Sequence, residues 1–447
     1  MTIQTEKGET YEIRDFSLKE EGLKTMEWAA SRMPVLQLIK KRFEEEKLFK
    51  GVRIGACLHV TKETSQLCEA WLAGGAEVYL CASNPLSSQD EITAALVSKG
   101  VHVYAWKFMD TEGYYRAIGH VINARPHITI DDGADLVSIL HKLKRGESDE
   151  EVEIVRKIIG DTTDIIDGVW GGAEETTTGI IRLKAMADDG ALLYPIMATN
   201  SSPSKNLFDN VYGTGQSSID GILRATADLI ASKVFIVAGY GHCGKGVAMR
   251  AKGMGASRVI ITEIEPHAAL QAVMEGMEVM PMIEAAKIAD IIITATGCKD
   301  VVRKEHFKVM KNNCNVANTG HFNVEINIPD LESLAIDKVK IRPFVDQYTL
   351  KDGRKINLLG EGRLINLAAA EGHPSSVMDL SFSVQALASK YIVKHKKELE
   401  NLGGQVVQIP DDIDNNVAYL KCDTLRIELE KLTSEQEKYL ASWRVGT

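Results

Sequence analysis

Two groups of residues in this sequence have types and spacings suited to chemistry. The first is Gly239, Gly241 and Gly244, a G-x-G-x-x-G turn that also carries His242 and Cys243. Such a turn lets backbone N–H groups approach a pyrophosphate at a helix N-terminus, where unpaired donors and the helix dipole favour an anion. An acid roughly twenty residues further on completes a dinucleotide fingerprint, and Glu263 stands there. Its carboxylate would accept from a ribose 2′-OH and repel a 2′-phosphate, which favours NAD over NADP.

The second group suits proton chemistry on a small ligand. Lys205 and Asp209 are spaced i, i+4, so a helix would put both on one face, with Asn210 adjoining. A lysine with a depressed pKa can act as a base beside such a carboxylate; the bland alternative is a salt bridge on a surface helix. His59 titrates near neutral pH when unperturbed, and Asp132 lies at a neighbouring strand end. His59, Asn84, Asp132, Glu175 and Asn200 cluster just past the C-terminal ends of expected strands, where open parallel sheets bind ligands. Thr176, Thr177 and Thr178 read equally as a polar clamp and as a helix N-cap run.

Apolar runs and helical patterns alternate through the first half, as in a parallel α/β sheet. Strands are expected over 53–58, 77–81, 101–105, 127–131, 168–170 and 194–198, with helices over 63–73, 89–98 and 135–143. The connector 144–164 holds an amphipathic helix with Val152, Val155, Ile158 and Ile159 on one face. Further strands are expected over 234–238, 258–263, 291–295 and 315–317, with a helix over 244–254. A hairpin over 344–349 and 354–359 turns at Asp352-Gly353. The expected fold is α/β, with two doubly wound parallel-sheet domains joined by a two-strand hinge. A substrate domain spans 1–200 and is completed by about 374–410. A Rossmann domain spans 214–371, and a C-terminal oligomerisation arm, with a helical pattern over 422–432, spans 411–447.

The 447 residues are 45% hydrophobic and 26% charged, with a net charge of −10 and no long block of like charge. That is a soluble globular composition, and it argues against nucleic acid or an anionic membrane as the main partner. Seven scattered cysteines without a C-x-x-C pair suggest buried small side chains in a reducing compartment. Residues 1–20 are polar and mixed in charge, and no apolar stretch has the length of a membrane span. The cytoplasm is the expected compartment. No dedicated metal motif is visible.

Several stretches match one family in order: His59-Val-Thr61-Lys-Glu63, Ser88-Gln-Asp90, Asp131-Asp-Gly-Ala-Asp135, Glu174-Glu-Thr-Thr-Thr-Gly179 and Lys205-Asn-Leu-Phe-Asp-Asn210. The glycine turn, Asn318-Thr-Gly-His-Phe322 and Gly372-His-Pro374 follow. With these the chain resembles the S-adenosyl-L-homocysteine hydrolases over essentially its whole length. The resemblance implies an enzyme with tightly held NAD, a homotetramer, that acts on a nucleoside thioether. The ribose 3′-OH is transiently oxidised, C4′–H becomes acidic, homocysteine leaves C5′, water adds, and the ketone is reduced again.

The roles follow by resemblance. Lys205, Asp209 and Asn210 serve 3′-oxidation. His59 and Asp132 move protons at C4′–C5′, and Glu175 holds sugar hydroxyls or the ketone. Thr61 and Glu63 contact adenine, with Asn84, His373 and Met378 in the same pocket. Asn200, the threonines 176–178, Thr296 and Asn318 touch the cofactor, and His321 and Asn366 contact it or bridge it to substrate. Lys431 and Tyr439 lie near the stretch that caps a neighbouring subunit's NAD. This chain departs from many relatives at His242, Ala268 and Glu371, and its tail is shorter than in the animal enzymes, from which weaker NAD retention is expected. An S-inosyl substrate, a plain NAD dehydrogenase and a non-catalytic NAD-binding homologue are the rival readings.

Overall fold

A computed structural model describes residues 3–4 and 10–444. Positions 1–2, 5–9 and 445–447, the ends of the expected first domain and arm, lie outside the described residues. Two large sheets dominate. The first is wholly parallel and runs, edge to edge, Val406–Gln408, Ile196–Ala198, Gly171–Glu174, Ile128–Asp131, Arg53–Leu58, Glu77–Ala82, His102–Tyr104. The second runs Glu278–Val279, Arg258–Thr262, Val234–Ala238, Ile291–Thr294, Cys314–Asn318, Lys355–Leu359, Val345–Leu350, Ala335–Arg342. Its last two strands are antiparallel.

β-Branched runs buried on both faces, such as Ile291–Thr294, are what a parallel sheet covered by helices requires. Alternate residues of Val234–Ala238 divide between separate cores: Phe235 and Val237 join one, Ile236 the other. The first sheet has its own core, which includes Phe382, Val384 and Ile392 of the long helix Ser375–Lys394.

Strand order decides where ligands go. From Arg53–Leu58 the chain first builds toward His102–Tyr104, then returns to the other side at Ile128–Asp131. A crevice opens at that reversal, beyond the strand ends, and His59 and Asp132 follow the two strands that flank it. The second sheet reverses between Val234–Ala238 and Ile291–Thr294, where the glycine turn and Thr296 lie.

Three expectations shift. Residues 168–170 are not a strand: a 3-10 turn over Ile165–Gly168 leads into Gly171–Glu174. A Cβ on Gly172 would stand 2.4 Å from Thr129 Oγ1 and 2.7 Å from Ile196 Cδ1, so side chains of the flanking strands demand glycine there. The edge strand Ala335–Arg342 is unanticipated; its exposed apolar residues are interrupted by Asp337, Lys338, Lys340 and Arg342, charges that blunt an edge. No single helix spans 422–432. The helix Asp411–Thr424 ends, Arg426 turns left-handed at φ 57°, and a new helix, Ser434–Leu440, starts from a Thr433–Gln436 capping box. No helix among the described residues is long and apolar enough to cross a membrane.

Candidate active site

The crevice of the first sheet holds a cavity of about 120 Å³ lined by His59, Thr61, Glu63, Asp132, Glu175, Lys205, Asp209, Asn210, His321, Asn366, His373 and Met378. Thr61 caps the helix Lys62–Ala73, accepting from Thr64 N, and this sets Glu63 in the first turn. Glu63 is buried, and its Oε1 accepts from Ser375 Oγ at 2.5 Å.

On one wall, His59 Nε2 lies 3.2 Å from Asp132 Oδ2, and His321 Nδ1 lies 3.6 Å from Asp132 Oδ1. His59 Nδ1 is 2.8 Å from Ser87 Oγ and 3.1 Å from Ser83 Oγ. Burial pulls the His59 pKa down to about 4 even with Asp132 beside it, so the ring is neutral at pH 7. Beneath this wall sit Asp131 and Glu174, both fully buried. Asp131 accepts from the amides of Asp132 and Val137, and Glu174 Oε1 from those of Gly133 and Thr176.

The opposite wall is a charge cluster. Lys205 Nζ lies 2.9 Å from Asp209 Oδ2 and 3.5 Å from Glu175 Oε1, and donates to Asn210 Oδ1 at 2.6 Å. Asn210 donates to Asn200 Oδ1, and Asn200 to Thr177 Oγ1. His373 Nδ1 bonds Asp209 Oδ1. The pair does not share one helical face in the expected way: Lys205 sits in the short helix Pro203–Asn206, and Asp209 opens a π-helical turn over Asp209–Gly213. Nor is the lysine's pKa depressed. Burial disfavours the ammonium, but Asp209 and Glu175 more than offset that and hold its pKa above the ordinary lysine value. Burial would likewise raise Asp209, yet Lys205 and His373 hold its carboxyl well below the usual range. Glu175 goes the other way: burial lifts it to about 8, with Lys205 opposing and Asp209 adding.

A second cavity, about 1080 Å³, opens over the glycine turn and includes Gly239, Gly241, His242, Cys243, Glu263 and Thr296 in its lining. Its residues fit a dinucleotide. Gly239 holds φ +94°, and a Cβ on it would meet Ala295 O at 2.7 Å. A Cβ on Gly244 would meet Gly239 O at 2.0 Å, so only glycine lets the helix His242–Gly253 pack this closely. Gly241, by contrast, faces open space, where a backbone amide can meet a phosphate. Glu263 accepts from the amides of Tyr240, Ile264 and Glu265 at 2.6, 2.7 and 3.0 Å, which fixes its carboxylate at the end of the second strand. Burial lowers the His242 pKa and raises that of Cys243, so both are neutral at pH 7.

Thr176, Asn210, Cys243, Thr319 and His321 line both cavities. Thr177 and Thr178 line the larger one. Six expected residues stand apart from both linings. Gly244 packs under Gly239 O, and Asn200 reaches the site only through Asn210 and Thr177. Asn84 is buried in a turn and accepts from Leu86 N. Asn318 is fully buried and ties its loop together through Gly320, Phe322 and Gly362 carbonyls. Lys431 and Tyr439 are exposed in the C-terminal segment. Sequence reasoning missed Ser381, whose Oγ lies 2.6 Å from Glu175 Oε1 and 2.9 Å from Asp209 Oδ2. It also missed Glu325, whose buried carboxylate accepts from the amides of Thr296 and Gly297 and from Thr296 Oγ1. Neither follows a strand end or belongs to a motif.

The family model for the NAD binding domain of S-adenosyl-L-homocysteine hydrolase matches residues 210–372. An adenosylhomocysteinase of Aquifex aeolicus is 55% identical over 98% of this chain and 100% of its own. One from Pyrobaculum aerophilum is 51% identical over 97% of this chain and 99% of its own. An S-inosyl-L-homocysteine hydrolase of Methanocaldococcus jannaschii is also 51% identical, over 98% and 100%. With that identity along whole chains, and with the matched NAD-binding segment built around the glycine turn, this chain belongs to the S-adenosyl-L-homocysteine hydrolase family.

Proposed function

We propose that the protein reversibly hydrolyses S-adenosyl-L-homocysteine to adenosine and L-homocysteine. The observation that carries this reading is the wall shared by the two cavities. A nucleoside in the smaller cavity has its sugar against a nicotinamide in the larger one. Bound NAD supplies reversible oxidation of the ribose carbon. The chain's own groups do the rest. Lys205, an ammonium held by Asp209 and Asn210, steadies the sugar oxygen on which negative charge develops, taking the hydroxyl proton as it passes one of its own to Asp209. His59, neutral and paired with Asp132, takes and returns protons across C4′–C5′. Glu175 holds sugar hydroxyls, the threonines 176–178 face the cofactor, and Glu63 accepts from the purine's exocyclic amine.

The first sheet, with the helix Ser375–Lys394, serves as the substrate domain, the second as the NAD domain, and the segment after 411 as an assembly arm. Exposed Leu425, Ile427, Leu432 and Trp443 on that arm suit burial against a second copy, in a cytoplasmic homotetramer. Lys431 and Tyr439 then reach a neighbour's cofactor. Sedimentation of the purified protein tests the assembly; a monomer sinks it.

The reaction itself is tested with NAD-loaded protein and either S-adenosyl- or S-inosylhomocysteine, following free thiol. Thiol from the adenosyl compound without net NADH supports the reading. Faster release from the inosyl compound keeps the chemistry and makes hypoxanthine the base, as the Methanocaldococcus relative's name suggests for that protein. No thiol from either removes the reading.

A further inference from the structure

Ser381 is fully buried on the long helix Ser375–Lys394 and lines neither cavity, yet it touches the two carboxylates on which the sugar site depends. Its Oγ is 2.6 Å from Glu175 Oε1 and 2.9 Å from Asp209 Oδ2. A serine hydroxyl has one proton to give. If it donates to one carboxylate, the other must bring its own proton to make the second bond. Asp209 is the charged partner, because Lys205 lies 2.9 Å from it and His373 bonds its other oxygen. Glu175 is 3.5 Å from the same ammonium. The consistent arrangement is a chain in which Glu175 Oε1–H donates to Ser381 Oγ, and Ser381 O–H donates to Asp209 Oδ2.

That chain fixes which oxygen of Glu175 bears the proton. Its other oxygen, Oε2, is buried and has no hydrogen-bond partner, on a residue that lines the smaller cavity. With the proton parked on Oε1, Oε2 is a bare acceptor. We propose that Ser381 is a positioning residue that locks the Glu175 proton away from the ligand, so that Oε2 accepts a hydrogen bond from one ribose hydroxyl of the substrate. The inference rests on the hydrolase reading above and deepens it.

The test compares three nucleosides, adenosine, 2′-deoxyadenosine and 3′-deoxyadenosine, binding to NAD-loaded wild type and Ser381→Ala. Without the serine the Glu175 proton is free to move to Oε2, and the ribose hydroxyl then loses the acceptor for its own proton, which must turn away into the buried site. Adenosine should bind on the order of tenfold more weakly to the variant, the scale of one misdirected hydrogen bond. The deoxy compound that lacks the contacted hydroxyl should lose less than about twofold, and the other should lose as much as adenosine. Ser381→Thr, which restores a hydroxyl, should recover adenosine binding. Equal weakening of all three nucleosides would mean a merely structural serine and overturn the proposal, as would no weakening of any. Should the alanine variant not fold, Ser381→Cys, similar in shape and a poorer donor, carries the same comparison. Wild type that releases no thiol from S-adenosylhomocysteine fails the underlying reading instead, a distinguishable result.

Discussion

Gly133 and His321 meet across the gap between the two sheets. A Cβ on Gly133 would lie 2.3 Å from His321 Nε2, a buried nitrogen with no hydrogen-bond partner. Gly133 also holds φ +109° in the turn that carries Asp132. A strained backbone and a side-chain collision therefore fall on one residue, at the point where the second sheet delivers a histidine to the first.

Gly133→Ala should push His321 off Asp132 and strain the turn by about 1–3 kcal/mol. Thiol release should fall by more than about a hundredfold, against a barrier cost of ~2.7 kcal/mol. Thermal denaturation alongside the assay separates the two effects: a variant of wild-type stability and wild-type activity would remove the contact from the mechanism.

Lys205→Ala takes the ammonium from a cluster that contains Asp209 and Glu175. No reduced cofactor should accumulate on the enzyme when substrate is added, as measured by absorbance. The buried Asp209 loses its main cation and keeps only His373, so unfolding free energy should drop by roughly 3 kcal/mol. The Asp209 pKa lies below its unfolded value, so this stabilisation is present above the ordinary aspartate pKa and fades in wild type as pH falls toward the folded one. A denaturant titration at neutral pH that finds no loss would show the ion pair to be neutral in its net effect.

The pH profile of kcat/KM should be a broad bell. Its acid limb falls where His59 becomes charged, at about 4, and its alkaline limb where Glu175 loses its proton, at about 8. Glu175→Gln mimics the neutral acid and should remove the alkaline limb. Stability gives an independent reading. Between the ordinary glutamate pKa and about 8, the folded state binds the Glu175 proton and the unfolded state does not, so wild-type stability should decline as pH rises. The glutamine variant should lack that decline; an identical slope in both would exclude Glu175 as its source.

Glu263 presents its carboxylate where the second strand ends, held by three backbone amides. Glu263→Gln removes the charge that repels a 2′-phosphate. The ratio of NADP to NAD dissociation constants should narrow by roughly tenfold. An unchanged ratio would mean that the walls of the cavity, not this charge, choose the cofactor.

What could be read from the sequence is local. The glycine turn is legible because strand, turn, helix and acid follow each other within one βαβ unit. Gly239 and Gly244 each have a separate steric reason, as the 2.0 Å approach to Gly239 O at Gly244 illustrates. His59 and Asp132 are legible because strands rich in apolar residues end just before them, and Glu175 through the motif Glu174-Glu-Thr-Thr-Thr-Gly179. The strand Gly171–Glu174 is hidden because its Gly172 exists for its neighbours, Thr129 and Ile196, which are distant in sequence. The charge state of Lys205 is hidden for the same reason. One of its acids is four residues away, but the other comes from a different strand end. Ser381 is one of several small polar residues on a buried helix, and only its place between Glu175 and Asp209 distinguishes it.

The first sheet is not finished when its first six strands have been made. The helix Ser375–Lys394, which brings Ser375 to Glu63 and Ser381 to Glu175, follows every strand of the second sheet, and so does the edge strand Val406–Gln408. On the ribosome, the whole nucleotide-binding half therefore emerges before the half that precedes it can close. The nascent first sheet must wait with an open edge and an unsatisfied polar crevice while more than a hundred residues fold beside it. The smaller cavity is thus completed only after the nucleotide-binding half, and a chain interrupted before residue 375 has the glycine turn, His59, Asp132, Glu175 and Lys205 but neither Ser375 nor Ser381 behind their acids.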